Sequence, residues 1–119
     1  ILSSITNDKY KDIKIDENLN IKVVDTKDRL IDIENLSAGT IEQIYFATRI
    51  GISEVIRQED KLPIIIDDAF VQYDDNRLIN ILNFLYRESL DRQVIIFTCQ
   101  NREREILNKL SLRHNFIEL

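Results

Sequence analysis

Hydrophobic and polar positions alternate from Tyr10 to Glu34, and then the period changes. Ile13 and Ile15 take one side of a short strand, residues 16–20 turn the chain, and Ile21, Val23 and Val24 form a second strand. Residues 25–28 are a turn cluster, after which Leu30, Ile31 and Ile33 form a third strand. This pattern predicts a small antiparallel meander. From Ile41 the apolar positions fall at helical spacing. Ile41, Ile44, Tyr45, Thr48, Ile52, Val55 and Ile56 predict one stripe of a long amphipathic helix over 41–56. Thr40 with Gln43 three residues on matches a capping box, which places the helix start near Thr40. Residues 57–61 read as a polar connection.

Residues 62–67 are a short continuous apolar run ending in an acid, the pattern of a central strand buried on both faces of a parallel sheet. Leu78, Ile81, Leu82 and Leu85 predict a helix over 76–88, with Asp74 or Asp75 as its N-cap. Residues 93–98 form a second apolar strand, Ile106, Leu107 and Leu110 mark a shorter helix, and residues 114–119 read as a last strand. The fold class is α/β: a small antiparallel β meander followed by a βαβ parallel-sheet lobe with right-handed crossovers. Residues 1–119 read as one domain, with 1–9 the end of an entering helix, 10–35 the meander and 36–119 the α/β lobe. The chain opens at Ile1 inside what reads as a helix tail, so the expectation is a segment of something longer.

Composition narrows the function. The chain has 119 residues, 44% of them apolar and 31% charged, which fits one ordinary globular domain and excludes a disordered one. No apolar run approaches the roughly 18 residues of a membrane span, and no basic start leads into an apolar stretch. A cytoplasmic protein with no membrane partner is the expectation. Cys99 is the single cysteine and His114 the single histidine, which removes internal disulfides, cysteine zinc clusters and multi-histidine sites within one chain. Sixteen basic against 21 acidic side chains leave a net charge of −5, against a broad nucleic-acid surface in this segment.

Chemistry has a few places to live. Asp67 and Asp68 leave an apolar strand into the region where open α/β sheets collect ligands. Asp67 suits Mg²⁺, a hard cation that prefers oxygen ligands, and Asp68 could polarise a water. Two acids capping a turn in solvent is the plainer account. Residues 35–40 precede the long helix: Leu36 can anchor the loop, Ser37 supplies a hydroxyl, and Gly39 permits close backbone approach. The helix start adds free N–H groups and a positive dipole end, although an ordinary capped helix looks the same. A polar loop over 71–77 and polar residues Thr98, Cys99 and Gln100 at the second strand end complete the set. Cys99 has no basic neighbour in sequence to activate it and reads as structural.

The order of these sites carries more than any one of them. A glycine-bearing Leu-Ser-Ala-Gly-Thr (residues 36–40) opens a helix, and about 27 residues later a buried strand ends in two acids. A loop with Asp74 and then a strand ending in Thr98, Cys99 and Gln100 follow. This order resembles the C-terminal lobe of an ATP-binding-cassette (ABC-type) ATPase head of the SMC/SbcC-like group, the bacterial YhaN-like AAA-family ATPases above all. Residues 36–40 resemble the signature motif, residues 62–68 the Walker B strand with its adjacent acid, residues 71–75 the D-loop, and residues 93–100 the strand into the switch. Residues 2–25 resemble the re-entry of the returning coiled-coil arm, so 1–9 corresponds to its end.

The resemblance implies an incomplete P-loop NTPase fold and a set of roles. Ser37 and Gly39, with Ala38 and Thr40 in the same motif, would meet the γ-phosphate of an ATP held by a second head. Asp67 would hold Mg²⁺ through water, Asp68 would orient the attacking water, Gln100 would take the switch position, and Asp74 would couple two active sites across a homodimer. ATP and Mg²⁺ are the implied cofactors. The implied partners are an N-terminal Walker A lobe of the same parent chain and a second head, with DNA and a nuclease reached through the full-length protein. DNA repair, recombination or chromosome maintenance is the implied setting. Three residues depart from the pattern: Asp68 stands where Glu is usual, Ala38 where glycine is usual, and Gln100 where a histidine is usual. Gln can hydrogen-bond a phosphate but cannot carry its proton. No G-x-x-x-x-G-K-[ST] loop occurs, since Gly39 and Gly51 are the only glycines. The segment alone is therefore expected to be inactive and to expose an apolar seam where the absent lobe packs. Two alternatives are a non-catalytic ATP-dependent dimerisation module and an aspartate phosphoacceptor domain. The second lacks a strand-end lysine after the acid pair.

Overall fold

The computed structural model of the chain describes residues 1–56 and 62–119; residues 57–61, read above as a polar connection, lie outside the described residues. Strands β1 (Tyr10–Ile15), β2 (Ile21–Asp25) and β3 (Leu30–Asp32) form an antiparallel sheet in that order. Ile13 lies opposite Val23 and Val23 opposite Ile31, so three apolar side chains share one face. Val23 is fully buried there, with Ile13 and Ile31 half-buried against the core.

Both hairpin turns are held by an aspartate. Asp16 Oδ1 accepts from the N–H groups of Asn18 and Asn20, each at 2.9 Å. Asp25 Oδ1 does the same for Lys27 and Arg29, again at 2.9 Å, while its Oδ2 accepts from Arg29 Nε at 2.7 Å. These side chains satisfy turn donors that no strand can reach. They let Leu19 and Asp28 hold positive φ of 63° and 62° without glycine.

The second half carries α2 (Ala38–Ile56), β4 (Ile64–Asp67), α3 (Asp75–Ser89), β5 (Val94–Phe97) and α4 (Arg102–Lys109). Strands β4 and β5 pair in parallel with α3 as the connection, the expected βαβ unit. Asp74 caps α3, its side chain accepting from the Arg77 N–H at 2.9 Å. The short helix α1 (Leu2–Ile5) packs against α2, α3 and β1 and so joins the meander to the α/β part. Ile5, Ile44, Leu78, Ile81 and Leu82 form the dry centre of that junction. At its far end the buried Arg92 guanidinium lies 2.6 Å from Glu88 and 2.8 Å from Glu54, tying the ends of α3 and α2 together.

Five expectations need correction. Ile33 is not in the third strand: β3 ends at Asp32, and Ile33–Asn35 form a single helical turn because the Leu36 N–H turns back to the Ile33 carbonyl at 3.1 Å. Helix α2 begins at Ala38, not near Thr40, because Ser37 supplies the first acceptor: its carbonyl takes the N–H of Ile41 at 2.9 Å. Thr40 is thus inside the first turn, and Gln43 reaches away to the Ile5 carbonyl at 2.8 Å instead of closing a capping box. The apolar stripe also divides. Ile44 is buried, but the inward row is Gly39, Thr40, Gln43, Ile44, Ala47 and Ile50, while Ile52, Val55 and Ile56 are exposed. Those three line an apolar groove of ≈ 410 Å³ with Ile13 and Ile15 of β1. Strand β4 is covered on one face only: Ile64 and Ile66 are buried, and Ile65 is 64% exposed. Lastly, residues 114–119 form no strand, and Phe116 stacks under the Arg104 guanidinium at 3.8 Å. His114 sits in this non-strand tail, half-buried, with Nδ1 2.8 Å from the Leu112 carbonyl.

Two predictions follow from packing and capping. Leu78→Ala empties a site with no solvent exposure and is expected to cost about 2–5 kcal/mol in chemical denaturation. At Asp25, the backbone N–H of Arg29 holds the carboxyl below its ordinary value of 3.8, with the guanidinium adding to it against the opposing effect of burial. A lowered folded-state value stabilises the fold above the ordinary value, and that stability is lost as pH falls through the folded one. Asp25→Asn is therefore expected to lower the thermal midpoint at pH 7 and to converge on the parent chain in strong acid; an equal loss at every pH would refute this.

Candidate functional site

The parallel register decides which groups meet at the strand ends. Asp67 pairs with Phe97, and the next N–H, that of Asp68, donates to the Phe97 carbonyl at 2.9 Å. There the chain leaves extended geometry. Asp68 has φ of 43°, a left-handed conformation that aspartate tolerates better than most side chains. Its Oδ1 accepts from the Cys99 N–H at 3.1 Å. The nearby Asp68 carboxylate raises the Cys99 thiol's pKa, in keeping with an inert cysteine. One step on, the Gln100 N–H donates to Thr98 Oγ1 at 3.0 Å. The Asp67–Asp68 end of β4 thus lies beside the segment of Cys99 and Gln100 that leaves its parallel neighbour β5, with Asp67 exposed and Gln100 half-buried.

Between Asp68 and Asp74 the loop turns about a buried phenylalanine. Phe70 is 2% exposed, its ring 6.0 Å from Phe46 of α2 and 5.4 Å from Tyr73. Its carbonyl accepts from the Tyr73 N–H at 3.0 Å and from Arg102 of α4 at 3.1 Å. Burial, with the Glu42 carboxylate adding to it, lifts the Tyr73 hydroxyl above the ordinary phenol range, so it stays neutral. This anchoring carries the loop to the first turn of α2.

Residues 37–40 face two ways there. Ser37 and Ala38 are exposed; Gly39 and Thr40 are buried. Ser37 Oγ lies 2.8 Å from Thr40 Oγ1. A Cβ at Gly39 would come within 3.3 Å of the Gln72 carbonyl oxygen and 3.4 Å of the Arg77 Cζ. The close approach that this glycine permits is therefore made by the protein's own loop. Arg77 was not among the residues singled out from sequence, yet it is the hub. Its Nη2 donates to Ser37 Oγ at 3.2 Å and to Thr40 Oγ1 at 3.1 Å. Its Nε donates to Gln43 Oε1 at 3.3 Å, and its Nη1 pairs with Asp74. The Arg77 N–H, helped by that charge, holds the Asp74 carboxyl below the usual range. The available signals were Arg77 three residues after the helix cap Asp74 and Gln43 on the inward row of an apolar helix.

The donor set bears on metal. Among the described residues, no group of three His, Cys, Asp or Glu side chains could hold an ion. An exposed strand-end carboxylate with a second acid beside it fits Mg²⁺, which keeps most of its waters and takes one or two carboxylates plus substrate phosphate oxygens. It does not fit a structural metal cage.

No family model matches the chain. It is 33% identical over 112 residues to the uncharacterized protein YhaN of Bacillus subtilis, a match covering 92% of this chain and 12% of that protein. An uncharacterized protein of Mycobacterium tuberculosis is 32% identical over 88 residues, 74% of this chain and 10% of the relative. The chain thus spans about an eighth of the length of YhaN. Among solved structures, one from work on ATP-driven dimerization and DNA-stimulated activation of SMC ATPases superimposes with a TM-score of 0.66 at 18% identity, over 88% of this chain and 68% of that one. The Smc head domain from Pyrococcus furiosus, solved with an extended coiled coil and the C-terminal domain of ScpA, gives 0.64 at 14% identity, over 89% and 28%. The chain has the α/β fold of part of an SMC ATPase head, and its sequence is similar to that of YhaN.

Proposed function

We propose that residues 1–119 are the C-terminal lobe of an SMC/SbcC-like ATPase head, in a parent that binds and hydrolyses MgATP between two dimerised heads. The observation that supports this reading is the Asp67–Asp68 strand end lying beside the Cys99–Gln100 segment at the end of a paired parallel strand, joined by one anchored loop to the Ser37 turn. Neither group encloses a nucleotide, and the chain has no G-x-x-x-x-G-K-[ST] loop. Both fit a composite site, completed by a Walker A lobe from the same parent and by a second copy of the head.

In this reading Asp67 holds Mg²⁺ through water. Held there, Mg²⁺ would supply charge neutralisation at the phosphate oxygens, and positioning by the protein's own residues would supply most of the remaining rate. Asp68 orients the attacking water. Gln100 hydrogen-bonds the γ-phosphate from the switch position. Exposed Ser37 and Ala38 present the α2 start to the ATP of the other head, while Gly39 and Thr40 hold that turn to the loop carrying Asp74. Exposed Ile65 and Phe97 on the sheet, with Ile52, Val55 and Ile56 on α2, are the apolar seam expected where the Walker A lobe packs. DNA repair or chromosome maintenance is the proposed setting, with DNA and a nuclease reached through the parent.

A second reading is ATP-dependent dimerisation without turnover. It is favoured by the engagement of Asp68 with the Cys99 backbone and by glutamine in place of a protonatable switch group. Asp68→Asn in the full-length parent separates the two. Hydrolysis predicts that steady-state phosphate release falls at least about a hundredfold while MgATP-dependent dimerisation, followed by light scattering, persists. A parent that dimerises with MgATP and releases no phosphate, with or without the substitution, supports the second reading. Residues 1–119 alone are expected to show no MgATP binding by isothermal titration; micromolar affinity would refute the composite site.

A further inference from the structure

A guanidinium spends four contacts on joining two loops that, in the proposed head, serve different ATP molecules. Arg77 stands in the first turn of α3, its side chain 28% exposed. From there it reaches Asp74 at the end of the anchored loop, Ser37 just before α2, and Thr40 and Gln43 in its first turns. Gln43 passes the connection inward, donating to the Ile5 carbonyl at 2.8 Å. The packing around the contact is tight: the Gly39 Cα faces the guanidinium so closely that an added Cβ would sit 3.4 Å from Cζ. A planar, five-donor fork suits this task. A lysine could satisfy one or two of these acceptors from a single point but not all four.

The Ser37 hydroxyl is the telling acceptor. It is exposed and would be free to rotate, but Thr40 at 2.8 Å and Arg77 at 3.2 Å both fix it. Fixing an exposed hydroxyl costs side-chain entropy before any ligand arrives and lowers the cost of binding one in that orientation. Asp74 is fixed from the same side chain. Rotation of one loop must then move the other or break a charge-assisted pair.

Resting on the proposed head function, we propose that Arg77 is a positioning residue that locks the Ser37 turn and the Asp74 loop into one rigid unit. Ser37 is thereby presented to the ATP of the second head already oriented. Arg77 acts through Ser37 and not by touching the phosphate itself.

The test is a double-mutant cycle in the full-length parent, reading the MgATP concentration that half-saturates dimerisation. Arg77→Ala is expected to raise that concentration about tenfold in the parent and less than about twofold in a Ser37→Ala background. Equal fold-losses in both backgrounds, or a loss under about twofold in the parent, overturn the inference, since an arginine that affects dimerisation independently of Ser37 would act additively. If circular dichroism shows Arg77→Ala unfolded, Arg77→Lys replaces it in the same cycle with the same criterion. A parent that folds but does not dimerise with MgATP overturns the proposed function, and the inference with it. A parent that dimerises normally while the cycle proves additive overturns the inference alone.

Discussion

Two adjacent carboxylates at a strand end are inert until something holds a second segment beside them. Here that constraint is the parallel pairing of β4 with β5, continued one residue past the ladder by the Asp68 N–H and the Phe97 carbonyl. Parallel strands need a long crossover, so the price of this register is the helix α3 and the core it buries. Because α3 must begin beside the strand end it left, Asp74 and Arg77 arrive at the α2 start as part of the same crossover. The acid pair and the anchored loop follow from that pairing, and the loop then meets the Ser37 turn through Gln72 and Arg77.

The chain solves its turns without glycine. Asn7, Asp8, Asp28 and Asp68 take positive φ, and aspartate side chains satisfy the donors in both hairpins. At Asp68 the same habit has a chemical consequence. A shorter acid in a left-handed conformation directs one oxygen onto the Cys99 backbone, so the acid also clamps the segment after β5. A glutamate would carry its carboxylate one methylene further from that N–H. Aspartate at this position therefore has a local geometric reason.

Polar residues on the inward row of α2 have a similar logic. Thr40 and Gln43 are each 4% exposed, an arrangement that costs free energy unless every buried polar atom is paired. Thr40 pairs with Ser37 and Arg77, and Gln43 with Ile5 and Arg77. The apolar residues displaced from that row, Ile52, Val55 and Ile56, lie outward on the later turns. Amphipathic periodicity assumes one buried face per helix. A helix that meets a polar hub at its start and an open groove at its end breaks that assumption.

Local chemistry determined much from the residues alone: the meander, the βαβ order, a cap for α3 at Asp74 or Asp75, and the placing of two acids and a polar segment at neighbouring strand ends. Each depends on periodicity or on the preference of a residue for its own backbone, both readable along the chain. Only tertiary structure decided that residues 114–119 form no strand, that β4 is covered on one face, and that Thr40 and Gln43 point inward to Arg77. Those outcomes depend on what packs against a segment from tens of residues away: a strand exists only with an edge to pair, and an arginine becomes a hub only where two distant loops bring it acceptors.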